Sequence, residues 1–278
     1  MSSGWLTPLI DSLVLQSKDS YLIVVKFIVK IVATIEARMG STRLPGKVLA
    51  KIGRWSSLEL QIERLKRSNY IDEIVLATTT NTDDDVLEIF AINQSVSFFR
   101  GSEQDVLQRI LGAARAFKGS LLVQLTGDCP LIDSEIVDDL IKKYLELEPN
   151  IDFVSNEINR SYPIGLDCRV LSVDLLHKIN DECESLIHRS HGTTYVYASA
   201  ESHRFRCLNI EAPVVLRHPD WRWTLDTAED LVFFRSLYDY LGSELTRISA
   251  IELAAWLRDK PEVRKINSSV QQKRIEDG

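Results

Sequence analysis

Three cations, Arg38, Arg43 and Lys47, share one short run with Ala37, Gly40, Ser41 and Gly46: Ala-Arg-Met-Gly-Ser-Thr-Arg-Leu-Pro-Gly-Lys, residues 37–47. Glycine lets a backbone approach a ligand closely and present its N–H groups, and guanidinium and ammonium groups neutralise phosphate oxygens. The chemistry open to this spacing is therefore the holding of a polyphosphate. The run is neither G-x-x-x-x-G-K-[ST] nor G-x-G-x-x-G, so the usual NTPase and dinucleotide turns are excluded at the level of motif. A solvated basic loop is the plain alternative, against which the glycines and the position after an apolar run weigh. Two aspartates extend the chemistry. Asp128 follows the apolar run 121–125, and Asp226 precedes a helix expected from Ala228. A carboxylate in such a place can reach a divalent cation without being buried unpaired, or it can cap a turn or helix.

The elements that position these residues follow from periodicity. The Val- and Ile-rich run 28–35 predicts a buried first strand ending at the basic loop, and Leu58, Ile62 and Leu65 recur at helical spacing. Further strands are expected at 71–77, 96–99 and 121–125, with helices at 83–92, 105–117 and 134–147 between and after them. Such alternation implies an α/β fold with a mostly parallel, doubly wound sheet, whose ligands bind outside the carboxyl ends of the strands. Those ends carry 36–47, 78–80 and 126–130, so three polar loops converge on one edge. Beyond residue 150 the pattern is mixed, with strand-like 169–171 and 205–210, the tight segment 221–226, and an amphipathic helix at 248–257. The expected organisation is a prefix at 1–28 outside the core, a main domain at 29–245 whose second half holds a substrate-covering subregion, and a C-terminal helix and tail at 246–278.

Composition narrows the class. With 278 residues, of which 45% are hydrophobic, the chain can bury a full core. A formal net charge of −7 argues against a general nucleic-acid or anionic-membrane surface, so any anion site must be local. Cys129, Cys168, Cys183 and Cys207 contain no C-x-x-C pair, which suggests neither a zinc ribbon nor a disulfide framework and fits a reducing cytoplasm. The longest apolar stretch, 21–35, is interrupted by Lys26 and Lys30 and is too short to span a bilayer, and the first residues lack a basic leader.

Run 37–47 closely resembles the signature of the cytidylyltransferases that make CMP-activated acidic sugars, such as the 3-deoxy-manno-octulosonate and acylneuraminate enzymes, and is nearest to the spore-coat polysaccharide branch. Further matches follow in order: Ala77-Thr78-Thr79, Arg100-Gly101-Ser102-Glu103, Gly127-Asp128-Cys129-Pro130-Leu131-Ile132, Tyr162-Pro163 with Gly165-Leu166-Asp167, Arg222-Trp223-Thr224-Leu225-Asp226, and then Lys260-Pro261-Glu262 and Ile266-Asn267. The resemblance implies a glycosyltransferase-A-like fold with 29–245 as the nucleotidylyltransferase domain and a smaller acceptor and dimerisation subregion, CTP as donor, an acidic sugar as acceptor, Mg²⁺ as cofactor, and commonly a homodimer. It implies Asp128 and Asp226 as metal ligands, with Arg38 and Lys47 beside them in catalysis. It places Ala37, Arg38, Gly40, Ser41, Arg43, Lys47, Thr78, Thr79, Arg100, Gly101 and Ser102 on the nucleotide, and Tyr162, Gly165, Asp167 and His191 on the sugar.

Two departures stand out. Glu36 occupies a position where related sequences usually carry glutamine, and a carboxylate beside a triphosphate repels it unless Arg38 or Mg²⁺ compensates. The stretch His188-Arg189-Ser190-His191-Gly192-Thr193 differs from the more acidic R-E-H-V-T of close relatives. Another nucleotide, a non-acidic acceptor, or a silent sugar-nucleotide-binding scaffold therefore stand as alternatives. His191 can equally be a core or capping residue.

Overall fold

The structure is a computed structural model that describes residues 29–273; the expected prefix 1–28, with the start of the first expected strand, lies outside the described residues. Strand β1 (Ile31–Glu36) is buried from Ile31 to Ile35, as an apolar run covered on both faces requires. A small hairpin of β2 (Lys51–Ile52) and β3 (Trp55–Ser56) leads into helix α1 (Ser57–Leu65), which starts at a capping box between Ser56 and Glu59. Then come β4 (Glu73–Thr79), α2 (Asp85–Asn93), β5 (Ser97–Gly101), α3 (Val106–Ala116), β6 (Leu121–Thr126) and α4 (Ser134–Leu147). The second half holds β7 (Phe153–Ser155), β8 (Arg169–Ser172), α5 (Val173–Glu182), α6 (Leu186–Ser190), α7 (Tyr195–Ala198), β9 (Cys207–Asn209), α8 (Ala228–Leu241), α9 (Ala250–Arg258) and α10 (Pro261–Arg264).

The seven-stranded sheet has the order β5-β4-β1-β6-β8-β7-β9. Strands β5, β4, β1 and β6 are parallel, β8 runs antiparallel to both β6 and β7, and β9 is parallel to β7. The expected α/β class and mostly parallel sheet are thus present. Register brings Glu36 beside Ala77 and Thr126, and Thr79 beside Gly101, so the loops leaving β1, β4, β5 and β6 emerge at one edge.

Three elements depart from the expectation. The hairpin of β2 and β3 and the short β7 have too few residues to show a period, and helix α2 starts later than expected because 82–84 form a 3-10 turn. The C-terminal helices pack into the main core: Leu253, Ala254, Leu257 and Val263 share one buried cluster with Ile31, Leu76 and Val123. Buried Arg64 fastens them by donating to the carbonyls of Ile132, Leu245 and Ile248. Among the described residues no helix is long and apolar enough to cross a membrane.

Candidate active site

The basic loop is knitted around Met39. Its carbonyl accepts the N–H groups of Ser41 and Gly46, each at 3.0 Å, and its own N–H donates to Asp84 Oδ1 at 2.6 Å. Asp84 is buried, and its other oxygen accepts the Thr79 hydroxyl. Gly46 has φ 69°, a left-handed conformation that closes the loop onto the 3-10 turn 47–49, where Val48 is buried. The loop is thereby fixed at both ends.

Its three cations go to different partners. Lys47 Nζ lies 2.9 Å from Asp128 Oδ2 and 2.6 Å from Asp226 Oδ1, and Arg43 reaches the same Asp226 oxygen at 3.2 Å. Arg38 instead pairs with Glu103 at 2.7 Å, in a largely exposed contact. Lys47, Arg43, Asp128 and Asp226 are therefore brought together, and Arg38 stands apart.

Each aspartate is held by groups of its own. Thr126 donates its hydroxyl to Asp128 Oδ1 at 2.7 Å, and the Asp128 carbonyl accepts Leu225 N–H at 2.8 Å and the Thr224 hydroxyl at 3.0 Å. Arg222 donates to Asp226 Oδ2 at 2.6 Å and is itself gripped by fully buried Asp230 through Nε at 2.8 Å. The cap of α8 is Thr227, in a capping box with Asp230, so Asp226 is spared that duty. Burial on its own would raise the Asp128 carboxyl, but the Lys47 ammonium and the Thr126 hydroxyl hold it well below the usual carboxylate range. Burial would lower Lys47, and the two carboxylates outweigh it and keep the ammonium above its ordinary value.

The donor set suits a magnesium ion. Asp128 Oδ2 and Asp226 Oδ1 face a single cationic centre at 2.9 and 2.6 Å, and no group of three or more His, Cys, Asp or Glu forms a cage among the described residues. Magnesium prefers one or two carboxylates completed by phosphate oxygens and water.

Of the other nucleotide-side residues, Ala37 is buried, its N–H donating to the Ala77 carbonyl, and Gly40, Ser41 and Gly46 line an open hollow with Met39, Pro45 and Asp83. Thr78 and Thr79 have side chains sealed from solvent, and Thr79 is committed to Asp84. Arg100 fastens the turn after β4, donating to the carbonyls of Thr79 and Asn81 at 2.8 Å and pairing with Asp85. Ser102 caps the start of the next turn, accepting Asp105 N–H at 3.1 Å, and Gly101 leaves room for Arg109, whose Cγ would stand 3.0 Å from an added Cβ. These residues shape the loops around the cluster without joining it.

Of the residues expected on the sugar, Gly165 has φ 103°, and an added Cβ would stand 2.5 Å from the Trp223 carbonyl carbon and oxygen. That close approach lets Ile164 bridge to Arg222 and bring the segment alongside Asp226. Asp167 is paired with Arg160 at 2.6 Å, and Tyr162 is buried, its hydroxyl pushed up to about 12 by burial. His191 Nδ1 lies 2.9 Å from the Ile187 carbonyl, so the ring is bonded within its own helix, the capping role left open by the sequence.

Glu36 turns toward β6, away from the basic loop's cations. Its two oxygens accept the Thr34 hydroxyl at 2.8 Å and Gln124 Nε2 at 3.0 Å, and the Gln124 carbonyl oxygen accepts the Thr193 hydroxyl at 2.6 Å. Burial pushes the Glu36 carboxyl up to about 7, opposed by these hydrogen bonds and by Arg109 and Arg169. Near neutral pH it therefore carries only part of a charge, which weakens the repulsion expected from the sequence. Asp84, Gln124 and Asp230 do not figure among the sequence candidates, and Glu103 and Arg222 stand in the matched motifs without an assigned role. For Asp230 the available signal is its T-x-x-D spacing from Thr227.

Comparison with known proteins places the chain among its relatives. Residues 32–203 match the cytidylyltransferase family. The spore coat polysaccharide biosynthesis protein SpsF of Bacillus subtilis is 35% identical over 82% of this chain and 94% of its own. A 3-deoxy-manno-octulosonate cytidylyltransferase of Pelobacter propionicus is 32% identical over 42% of this chain and 45% of its own. The solved structure of a cytidylyltransferase from Leptospira borgpetersenii superposes with a TM-score of 0.81 at 32% identity, covering 88% of this chain and all of that one. The family match over residues 32–203 and a relative 35% identical over most of its length show that the chain belongs to the cytidylyltransferase family.

Proposed function

We propose that this cytidylyltransferase transfers CMP from CTP to an acidic sugar of the 2-keto-3-deoxy or nonulosonic type, releasing pyrophosphate, for surface polysaccharide or glycan synthesis in the cytoplasm. The observation that carries this reading is the convergence of Lys47 and Arg43 on Asp128 and Asp226 at the sheet's carboxyl edge. The similarity to SpsF and to part of a 3-deoxy-manno-octulosonate cytidylyltransferase supports the choice of acceptor.

In this reading the sugar hydroxyl attacks the α-phosphorus in line, a new oxygen–phosphorus bond forms, and the bond to pyrophosphate breaks. Lys47 and Arg43 neutralise charge as it shifts to the leaving oxygens, and Arg38 reaches the phosphates on leaving Glu103. Asp128 and Asp226 would hold Mg²⁺, which when bound supplies positive charge at the phosphate oxygens. Arg222, fixed by Asp230, keeps Asp226 oriented. Ile164 and Gly165 bring the acceptor segment against the strip that carries Asp226. Two copies of the chain are proposed to form a homodimer, which sedimentation would test.

The deciding experiment incubates the protein with each of the four nucleoside triphosphates against a panel of sugars and follows pyrophosphate release. CTP with an acidic sugar is the expected productive pair; release with UTP or GTP alone, or only with neutral sugars, sinks the reading. Asp128→Asn is expected to abolish turnover while leaving nucleotide binding, which separates an enzyme from a scaffold.

A further inference from the structure

The contacts of the two aspartates divide in a regular way. Asp128 Oδ1 is held by Thr126, and Asp226 Oδ2 by Arg222, whose guanidinium is buried and clamped by Asp230. The remaining oxygens, Asp128 Oδ2 and Asp226 Oδ1, are the two that Lys47 occupies, at 2.9 and 2.6 Å. Each carboxylate therefore has one oxygen anchored by the scaffold and one on Lys47, and Asp226 Oδ1 also meets Arg43 at 3.2 Å. Charge divides in the same way. Asp128, Asp226 and Asp230 face Lys47, Arg43 and Arg222, so the cluster is already neutral before any ligand arrives.

We propose that Lys47 is the exchangeable counter-ion of the Asp128–Asp226 pair: its ammonium fills the divalent-cation position and keeps the pair closed to free metal until nucleotide phosphates draw it away. This rests on the reading of Asp128 and Asp226 as the metal-holding pair. A divalent ion approaching the nucleotide-free protein meets a neutral cluster and an ammonium in contact with both oxygens it needs, so it has to displace Lys47 into water with no new partner. A triphosphate changes that balance by offering several anionic oxygens. Lys47, on its four-carbon stem, and Arg43 can both turn to them, and two carboxylate oxygens are freed together. Arg222 does not take part in the exchange, because Asp230 holds it, and so Asp226 stays aimed. The consequence is an order of events: the protein takes up the metal together with the nucleotide and does not collect it beforehand.

The test measures Mn²⁺ binding by electron paramagnetic resonance in the absence of nucleotide. The wild type is expected to bind weakly and Lys47→Met at least about tenfold more tightly, since one contacting unit charge is gone. Lys47→Arg, which keeps the charge, is expected to stay as weak as the wild type. Adding Asp128→Asn to Lys47→Met is expected to remove the gain, which locates the site. A second measurement uses only the wild type: the ¹⁵Nζ resonance of Lys47 is expected to ignore Mg²⁺ alone and to move when Mg²⁺ and α,β-methylene-CTP are added together. Wild-type protein that binds Mn²⁺ as tightly as Lys47→Met, or a Lys47 resonance that moves with Mg²⁺ alone, overturns the proposal. Either result leaves the choice of CTP and acidic sugar standing, whereas failure of the nucleotide and sugar panel leaves the nucleotide-free metal measurement valid.

Discussion

Replacing Glu36 by glutamine is expected to make the protein more stable at alkaline pH and to change little at acid pH. The folded carboxyl titrates at about 7, against an ordinary value of 4.5, because burial disfavours its charge more than Thr34, Gln124, Arg109 and Arg169 favour it. Between those two values the folded chain holds a proton that the unfolded chain has released. The stability due to Glu36 is thus fully present below pH 4.5 and is lost as pH rises through about 7. At about 1.4 kcal/mol per pH unit, the loss amounts to about 3 kcal/mol at most, since the residue is only partly shielded from solvent. Glutamine suits the site without titrating. Its carbonyl can accept from Gln124 Nε2 as the carboxylate does at 3.0 Å, and its amide can donate to the Thr34 hydroxyl, which rotates to accept. Urea denaturation of both proteins at half-unit steps from pH 5 to 8.5 gives the difference in unfolding free energy. That difference is expected to grow by about 2–3 kcal/mol across the range in favour of Glu36→Gln. If it stays flat, the carboxyl is not held neutral by burial, and the account of Glu36 beside the phosphate loop is wrong.

Removing the carboxylate that organises the loop, by Asp84→Ala, leaves the half-buried Met39 N–H without its 2.6 Å acceptor and the buried Thr79 hydroxyl without its own, and should cost about 1–3 kcal/mol in denaturant, with a raised KM for the nucleotide. Asp230→Ala strands buried Arg222 and is expected to cost about 3–5 kcal/mol by the same measurement. Gly165→Ala puts a Cβ 2.5 Å from the Trp223 carbonyl at φ 103°, so a loss of about 1–3 kcal/mol is expected by thermal melting, with the acceptor KM rising more than that of the nucleotide. Glu103→Gln weakens the exposed contact with Arg38, beside the one with Asn81, and should shift stability by less than about 1 kcal/mol.

The parallel half of the fold was legible because its inner strands β1, β4 and β6 are largely buried on both faces. Runs such as 121–125 then have no polar alternation to confuse the period, and the helices between them carry apolar stripes. The second half was harder because its elements are short. Strand β7 has three residues and the hairpin strands have two each, fewer than a period needs. Their stability comes from partners remote in sequence, as when Phe153, Val154 and Ser155 pair with β8 on one side and β9 on the other. A local reading of the chain does not contain that information.

The site divides along a similar line. Loop 37–47 taken alone reads as a solvated basic loop as readily as a phosphate loop; the ordered motifs that follow it favour phosphate binding, and the pairing of Asp128 with Asp226 becomes visible once the two are recognised as parts of one signature. Single residues were less legible where type and task diverge. Arg100 has the charge of a phosphate ligand, but the turn after β4 ends with carbonyls of Thr79 and Asn81 that need a donor, and the guanidinium serves them. His191 has the chemistry of an acid or base, but the end of α6 offers the Ile187 carbonyl at 2.9 Å. Lys47 shows the same competition in reverse. Its ammonium lies against the strongest acceptors in reach, Asp128 and Asp226, the groups the proposed metal would need. A sequence states which charges a site contains. Which of them neutralise one another before the substrate arrives depends on distances between loops brought together by the sheet, and that pairing decides the order in which ligands can enter.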